Sequence, residues 1–243
     1  MIHLDPWWDR AVTLWTPPAD GQDAPRRLAD LRVSYDIGAL APEDLSPDPL
    51  SSFLAWFAEA ERVGLPEPNA MVLSTADASG SPSSRMVLLK QADPRGFVFY
   101  TNLTSRKSRE LGENPRASLV FPWIAMHRQV IVTGSATLID RDEVREYFDS
   151  RPRGSRLGAW ASRQSTVIED RAGLEARYAE LDTRFGEAVP VPEFWGGWLI
   201  RADTVEFWQG RPSRLHDRLR FRRRVDDAAL DDSTGWLLER LSP

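Results

Sequence analysis

The chain contains no cysteine. This absence excludes disulfide bonds, thiolate nucleophiles, iron–sulfur clusters and cysteine-ligated zinc. Histidine is also scarce, because only His3, His127 and His216 are present and no HExxH motif joins two of them. We therefore expect no metal centre. The sequence also lacks a GxSxG elbow, a GxGxxG loop and a Walker loop, so it carries no familiar signature of a hydrolase or a nucleotide-binding protein.

Long apolar runs are missing as well. The longest one, Leu119–Met126, has eight residues and includes Pro122, whereas a membrane-spanning helix needs about 20. The first residues show no basic segment followed by an apolar one, so a secretory signal is not expected. We expect a cytoplasmic protein without a membrane partner.

Positive charge is not in excess: 31 Lys and Arg stand against 36 Asp and Glu, a formal net charge of −5. A nucleic-acid partner is therefore not expected. The arginines are nevertheless clustered, with seven of them inside residues 211–224 and three more at Arg151, Arg153 and Arg156. Such clusters form either solvated surfaces or phosphate sites, because guanidinium groups bind phosphate bidentately. The composition alone leaves both interpretations open.

The 243 residues, 42% of them hydrophobic, suffice for one large domain or two small ones. We predict an N-terminal arm over residues 1–45 and a main domain over residues 46–243. Helical spacing predicts helices at 25–35, 49–64 (with Asp48 as N-cap), 105–113, 142–150 and 170–185. Alternating or short apolar runs predict strands at 70–75, 85–90, 97–101, 117–121, 129–138, 197–200, 204–208, 215–221 and 236–241. Mostly antiparallel strands with inserted helices and no βαβ alternation indicate an α+β fold with a barrel-like sheet.

Two local patterns are compatible with anion binding. Thr104 and Ser105 precede Arg106 and Lys107 at a helix start, where free N–H groups attract anions. The alternative is an ordinary N-cap with exposed basic residues. Further along, a strand over 214–218 would place Arg214, His216 and Arg218 on one face. That face is either a charged edge that prevents aggregation or one wall of a site for an anionic aromatic ligand.

Many short segments, in the same order from about Asp30 to the last residue, match motifs of one family. They are Arg85-Met86-Val87-Leu88-Leu89-Lys90, Phe99-Tyr100-Thr101-Asn102, Ser105-Arg106-Lys107, Phe121-Pro122-Trp123, Arg128-Gln129-Val130, Tyr147-Phe148, Ser150-Arg151-Pro152-Arg153, Gly158-Ala159-Trp160, Gln164-Ser165, Phe194-Trp195-Gly196-Gly197, Glu206-Phe207-Trp208-Gln209, Arg214-Leu215-His216-Asp217-Arg218 and Glu239-Arg240-Leu241-Ser242-Pro243. In these segments the chain resembles the pyridoxine (pyridoxamine) 5′-phosphate oxidases.

The resemblance implies a split β-barrel homodimer that binds FMN at the subunit interface. It also implies oxidation of pyridoxine or pyridoxamine 5′-phosphate to pyridoxal 5′-phosphate in vitamin B6 metabolism, with O₂ as acceptor, H₂O₂ released, and NH₃ released from the amine. The FMN-binding residues it implies are Arg85, Met86, Val87, Leu88, Leu89, Lys90, Tyr100, Thr101, Arg106, Lys107, Gln129, Gln164, Ser165, Trp208 and Arg218. The substrate-binding residues it implies are Arg32, Tyr35, Lys90, Tyr147, Arg151, Ser155, Arg214, Leu215 and His216.

The catalytic pair implied by the resemblance is Arg214 and His216. On a strand both side chains would point at the same ligand ring, and Leu215 would point away. His127 stands where the family often has a glutamate before the Arg-Gln pair, and we expect it at the surface. Two rival functions remain open. One is a related flavin or deazaflavin oxidoreductase of another pathway, such as phenazine biosynthesis, and the other is a non-catalytic carrier of FMN or pyridoxal phosphate.

Overall fold

The structure is a computed structural model that describes Leu31 and residues 34–243. Arg32 and most of the predicted helix over 25–35 lie outside the described residues. Residues from Tyr35 to Pro243 form one compact unit. The division into an arm over 1–45 and a domain over 46–243 stays a prediction.

The described part of the chain contains one nine-stranded antiparallel sheet. Its strands are β1 (Ala70–Ala76), β2 (Pro82–Leu88), β3 (Gln91–Asp93), β4 (Gly96–Asn102), β5 (Arg116–Trp123), β6 (Arg128–Leu138), β7 (Trp195–Gln209), β8 (Asp217–Arg223) and β9 (Trp236–Arg240). The strand order is β2-β1-β5-β6-β7-β4-β3, and β8 pairs with both β7 and β9.

The sheet divides along the fifteen-residue strand β7. One edge of β7 pairs with β6 through residues 198–209. The other edge pairs with β4 through residues 195–200 and with β8 through residues 204–209. Because β4 and β8 pair with different halves of the same strand and then diverge, the sheet curls into a half-barrel. The predicted α+β class with a barrel-like sheet and inserted helices is therefore confirmed.

β7 replaces the two separate strands predicted at 197–200 and 204–208. The register with β6 shifts between Thr133 and Gly134, which face Thr204 and Ala202. Asp203 is the extra residue of this β-bulge, and a bulge lets a ladder continue past an irregular position. The polar residues Arg201, Asp203 and Thr204 interrupt the apolar pattern, so the sequence indicated a break where the backbone continues.

Five α-helices accompany the sheet among the described residues: α1 (Pro49–Arg62), α2 (Arg106–Glu113), α3 (Arg141–Ser150), α4 (Arg153–Ala161) and α5 (Arg171–Phe185). The predicted start of α1 is confirmed, because the side chain of Asp48 accepts a hydrogen bond of 2.7 Å from the Ser51 N–H. Phe53 and Trp56 of α1 are buried in the main core between this helix and the sheet.

α4 is missing from the sequence prediction. It contains Gly154 and Gly158, which weaken a helical pattern, and it begins directly after Pro152. Tertiary packing stabilises it, since Leu157 is fully buried in a second apolar core that α3, α4 and α5 share. None of the helices within the described residues has the length and apolar character needed to cross a membrane.

The predicted strand over 214–218 is wrong in its first half. Pro212–Arg214 forms a single 3-10 turn, in which Ser213 and Arg214 have positive φ angles of 57° and 62°. The turn is closed by a 3.2 Å hydrogen bond from the Leu215 N–H to the Pro212 carbonyl, and β8 begins only at Asp217. Period-two alternation therefore does not apply to residues 214–216.

The bulge gives a test of the fold. A Cβ atom at Gly134 would lie 2.0 Å from the carbonyl oxygen of Arg201, so Gly134→Ala must displace backbone at the centre of the β6–β7 ladder. We expect the free energy of unfolding to fall by about 1–3 kcal/mol or more. The control is Gly112→Ala in α2, where a Cβ meets nothing within 4 Å and Ala is favoured by about 0.5–1 kcal/mol. Urea unfolding measures both, and a neutral Gly134→Ala would contradict the register.

Candidate functional site

One large cavity, of about 740 Å³, lies where the helices meet the sheet. Its walls come from β2, the end of β4, the start of α2, the α3–α4 junction and the loop after α4. Fourteen of the predicted site residues line it: Arg85, Met86, Val87, Leu88, Lys90, Tyr100, Thr101, Arg106, Lys107, Tyr147, Arg151, Ser155, Gln164 and Ser165. The fold thus brings together residues that are up to 80 positions apart in the chain.

Three neighbouring cations, Arg85, Arg106 and Lys107, line this cavity, and we call them the inner cationic cluster. Glu110 orients its two arginines: it accepts 2.7 Å from Arg106 Nε and 3.3 Å from Arg85 Nη2. Thr75 and Ser83 donate to the same carboxylate at 2.5 and 2.6 Å. Burial alone would raise the pKa of Glu110, but these hydrogen bonds and the Arg106 charge lower it to about 2.

Lys107 is only 7% exposed and has no carboxylate partner among the described residues. Its Nζ contacts neutral oxygens instead, with Gln164 Oε1 at 2.7 Å and Thr101 Oγ1 at 3.1 Å. Burial, reinforced by the Arg85 charge, lowers the pKa of Lys107 to about 8. An anion in the cavity would relieve this destabilised positive charge.

Arg151 is a second cationic position in the lining of the cavity. The Cζ atom of Arg151 lies 4.4 Å from the centre of the Trp195 ring. The rings of Tyr100 and Tyr147 stack beside it with centroids 3.8 Å apart. Within the described chain, Arg151 Nη1 and Trp195 Nε1 are buried donors without a hydrogen-bond partner. Buried donors of this kind need an acceptor, which a bound anion would supply.

The predicted residues Tyr35, Trp208 and His216 lie elsewhere, together with His127, which was not predicted as a site residue; we call these four the aromatic–histidine cluster. The ring centroids of Trp208 and His216 are 4.5 Å apart, and Tyr35 lies 5.7 Å from His216 and 4.4 Å from His127. Gln129 and Arg218 face Trp208 on the neighbouring strands. None of these residues lines the cavity.

His216 is held in a defined orientation. Its Nδ1 accepts a 3.1 Å hydrogen bond from the Arg211 N–H, so the proton of the neutral ring resides on Nε2. Burial and the neighbouring Arg214 charge lower the pKa of His216, which favours this neutral form. Arg214 itself is exposed. The strand predicted to place Arg214 and His216 on one face is not observed, because Arg214 belongs to the turn at 212–214 and His216 precedes β8.

Several C-terminal arginines form ion pairs within the subunit. Arg218 forms a two-bond pair with Glu206 at 2.7 and 3.1 Å. Arg220 and Arg222 both pair with Glu239 at 2.7 and 2.8 Å, and Arg211 pairs with Asp217 at 3.4 Å. These arginines therefore form an ion-paired strand surface.

Two predicted site residues differ in exposure. Leu89 is 7% exposed and packs in the main core, while Leu215 is 70% exposed.

The cavity and the aromatic–histidine cluster belong to opposite ends of β7. Trp195 is the first residue of this strand and lines the cavity, whereas Trp208 is its last but one. Thirteen residue steps correspond to a path of about 40 Å along an extended strand. Within a single subunit, each predicted set of residues, for FMN and for the substrate, is therefore divided between the cavity and the aromatic–histidine cluster.

Three residues of these surfaces escaped the sequence analysis. Glu110 and Trp195 are in or beside the cavity, but neither was assigned a role. The only signal in the sequence for Glu110 was an acidic residue one helical turn after the two predicted phosphate-binding cations Arg106 and Lys107. His127 was expected at the surface, and this was wrong: it is half-buried, its Nδ1 is enclosed, and it packs on Tyr35. It follows the 3-10 turn Ile124–Met126 and has a left-handed φ of 51°.

A half-barrel of antiparallel strands with a cationic cavity at its helix-covered end is the architecture of FMN-binding split-barrel proteins. Residues 57–185 match the family model described as pyridoxamine 5′-phosphate oxidase. Residues 195–243 match the pyridoxine 5′-phosphate oxidase C-terminal dimerisation region. The chain belongs to the pyridoxamine 5′-phosphate oxidase family. This confirms the resemblance seen in the sequence, and the C-terminal match supports a homodimer.

Named relatives are similar over most of the chain. A pyridoxine/pyridoxamine 5′-phosphate oxidase of Acidothermus cellulolyticus is 54% identical over 218 residues, which cover 88% of this chain and 95% of the relative. One of Burkholderia mallei is 54% identical over 216 residues, covering 89% and 99%.

Solved structures share the fold. PhzG from Burkholderia lata 383, in complex with tetrahydrophenazine-1-carboxylic acid, superposes with a TM-score of 0.77 at 32% identity and covers 85% of this chain and 99% of PhzG. A pyridoxamine 5′-phosphate oxidase-related, FMN-binding protein of Nostoc punctiforme has a TM-score of 0.61 at 16% identity, covering 85% and 100%. The second likeness shows the fold alone.

Family membership makes FMN the cofactor, and the cavity fits this group. An inner cationic cluster and buried donors without partners match a phosphate-bearing ligand. The volume of about 740 Å³ falls in the range of about 300–1,000 Å³ of small-molecule sites. By contrast, no group of three or more potential His, Asp or Glu metal ligands occurs within the described residues.

The Glu110 network leads to a pH prediction. Because its pKa is depressed from 4.5 to about 2, Glu110 contributes stability above its unfolded pKa, and this contribution is lost as the pH falls towards 2. Glu110→Gln should therefore lower the free energy of unfolding by about 1–3 kcal/mol at pH 7, and by less at pH 3. Denaturant unfolding at both pH values tests this. Glu113→Gln, at an exposed position of the same helix, is the control and should change little. An equal loss at both pH values would contradict the charge-based role.

Proposed function

We propose that this protein oxidises pyridoxine 5′-phosphate and pyridoxamine 5′-phosphate to pyridoxal 5′-phosphate, with FMN as cofactor and O₂ as acceptor, in cytoplasmic vitamin B6 biosynthesis and salvage. The reaction releases H₂O₂, and it releases NH₃ from the amine. One observation carries the proposal: a single cavity is lined by two cationic positions, the inner cationic cluster, which Glu110 orients, and Arg151, which stacks on Trp195. Cofactor and substrate each carry one phosphate, and each phosphate requires its own cations.

We assign the inner cationic cluster to the phosphate of FMN. Arg85 and Arg106 are already oriented by Glu110, and Lys107 is a buried ammonium without an acidic partner in the described chain. Tyr100, Thr101, Gln164, Ser165 and the 85–90 segment complete this part of the set. When bound, FMN supplies the hydride acceptor and passes the electrons to O₂. The residues of the chain bind, orient and shield the reactants.

We assign Arg151 to the phosphate of the substrate. Arg151 supplies the charge, and Tyr147, Ser155 and Lys90 line the same cavity. Arg151 has no acidic partner within the described residues, so its charge is available to a ligand. Binding of the phosphate at Arg151 would leave the pyridine ring of the substrate in the space between Arg151 and the inner cationic cluster.

The homodimer explains why the remaining predicted residues lie far from the cavity. We propose that the aromatic–histidine cluster of one subunit, with Gln129, Arg214, Leu215 and Arg218, completes the cavity of the other subunit. The two-fold symmetry of such a dimer would create two equivalent sites. Tyr35, together with Arg32 outside the described residues, would then cover the substrate.

His216 would act as a neutral hydrogen-bond donor from Nε2, because its Nδ1 is occupied by the Arg211 N–H. Arg214, as a planar cation, would orient the substrate ring beside it. Correct orientation of the reacting carbon is the main contribution that a protein makes to hydride transfer between two bound rings.

A second candidate function follows from the likeness to PhzG, which was solved with a phenazine-type carboxylic acid. A carboxylate could also occupy the Arg151 position, so this position does not by itself exclude such a substrate. A non-catalytic carrier of FMN or pyridoxal phosphate would need the same cations. The two 54% identical relatives named as pyridoxine/pyridoxamine 5′-phosphate oxidases favour the vitamin B6 reaction.

Anaerobic mixing of the purified FMN-loaded protein with each candidate substrate tests the proposal. Pyridoxamine 5′-phosphate and pyridoxine 5′-phosphate should bleach the visible flavin absorbance, and readmitted O₂ should restore it with formation of pyridoxal 5′-phosphate. Bleaching by tetrahydrophenazine-1-carboxylic acid alone would favour the phenazine-type reaction. Tight binding without bleaching by any of the three would favour a carrier.

The two phosphate positions should separate in mutants. Arg151→Ala should raise KM for pyridoxamine 5′-phosphate by about 10- to 100-fold, the effect of one lost charge-assisted contact, while the dissociation constant of FMN stays nearly unchanged. Lys107→Ala should show the reverse pattern. Steady-state kinetics with saturating FMN and fluorescence titration of the FMN-free protein measure the two effects. If both variants lost FMN equally, the assignment of the two positions would be wrong.

The Arg214 charge should control the titration of His216. Because the nearby cation lowers the pKa of His216, Arg214→Met should raise it, and the acid limb of the kcat/KM profile should move to higher pH. Arg214→Lys keeps the charge and should leave the acid limb of the profile in place. Both variants should lower the rate of anaerobic flavin reduction, because the substrate ring is oriented less well. An unmoved limb in Arg214→Met would contradict a role for neutral His216. Unchanged reduction rates in Arg214→Met and His216→Ala would make both residues binding residues only.

A further inference from the structure

The cavity orients its two sets of guanidinium groups in different ways. Arg85 and Arg106 are held by the buried carboxylate of Glu110. Arg151 forms no ion pair within the described chain and is held by aromatic rings, with its Cζ 4.4 Å from the ring centre of Trp195 and 5.5 Å from that of Phe148. A carboxylate fixes an arginine but neutralises its charge, whereas an aromatic face fixes it and leaves the charge available.

Trp195 is itself held firmly. It is the first residue of β7, it is 8% exposed, and it belongs to the second apolar core, where its ring meets Phe148 at 6.0 Å. The backbone behind it is pinned, because Arg141 Nη1 donates to the Trp195 carbonyl. A long flexible arginine stacked on so rigid a surface loses little additional freedom when it binds a ligand.

The indole N–H of Trp195 points to the same function. Trp195 Nε1 and Arg151 Nη1 are both buried donors without an acceptor in the described chain. A buried donor without a partner is unfavourable, and these two belong to stacked groups that line one cavity. An anion bound to Arg151 would supply the counter-charge that this guanidinium lacks within the described residues.

We propose that Trp195 is the positioning residue of the substrate-phosphate site: its ring holds the guanidinium of Arg151 in place for the phosphate without neutralising it. This rests on the proposed function, in which Arg151 binds the substrate phosphate. Trp195 thereby determines how strongly the site prefers phosphorylated over unphosphorylated B6 compounds.

The test compares the affinities of the FMN-loaded protein for pyridoxal 5′-phosphate and for pyridoxal, by equilibrium titration. The ratio of the two affinities measures the contribution of the phosphate site alone. Trp195→Leu should lower this ratio by roughly 5- to 30-fold, the range for a desolvated cation–π contact. Trp195→Phe retains a ring and should lower it by less. Both should raise KM for pyridoxamine 5′-phosphate more than they lower kcat.

A double-mutant cycle with Arg151→Met identifies the route of the effect. If Trp195 acts through Arg151, Trp195→Leu should cause no further loss in the Arg151→Met background. Trp160→Leu is the matched control, because the Trp160 indole donates to the Pro190 carbonyl and packs on Phe185 and Phe194 without lining the cavity. It should leave the ratio unchanged.

The outcomes separate the inference from the function on which it rests. If Trp195→Leu and Trp195→Phe weaken pyridoxal and pyridoxal 5′-phosphate equally, Trp195 has only a structural role and the inference is wrong. The inference is also wrong if the affinity ratio stays at the wild-type value in the Trp195 variants while Arg151→Met abolishes the preference for the phosphorylated compound. If the wild-type protein itself does not prefer the phosphorylated compound, the proposed function fails first. Should Trp195→Leu not fold, Trp195→Phe carries the same comparison.

Discussion

The structure depends on the continuous hydrogen-bonded ladder between β6 and β7. Strand β7 is fifteen residues long, and its free edge receives β4 on one half and β8 on the other. The bulge at Asp203 preserves this ladder where its register shifts. Because Trp195 and Trp208 occupy the two ends of the same strand, the ladder also sets the separation between the cavity and the aromatic–histidine cluster. A site that needs both groups of residues therefore needs two copies of the chain.

Electrostatics within the cavity follow from how few acids it contains. Glu110 is the buried carboxylate beside the inner cationic cluster, and it neutralises part of the charge of Arg85 and Arg106. Lys107 is solvated by neutral oxygens, so burial lowers its pKa to about 8. Arg151 is oriented by aromatic rings. The cavity thus has two cationic positions that are held in different ways, and our proposal assigns one phosphate to each.

Local sequence signals predicted the elements whose stability is local. Asp48 and Pro49 marked the start of α1, and alternation located β1, β4, β5 and β6 to within a few residues. The elements that depend on distant contacts were not predicted. α4 contains two glycines and forms because its apolar face packs with α3 and α5. β7 continues through a polar stretch because its neighbours supply the hydrogen bonds. The turn at 212–214 depends on positive φ angles that alternation cannot indicate.

The sequence by itself determined the residue types, their order and hence the family, because the motifs are short and each can be identified without knowing what it touches. It also determined which cations are available to bind phosphate. Only the tertiary structure decided that Arg85 and Arg106 share Glu110, that Arg151 stacks on Trp195, and that His216 does not line the same cavity. The physical reason is that these contacts join elements separated by many residues. Their geometry is set by the curl of the sheet and the packing of helices on it, and not by any local pattern.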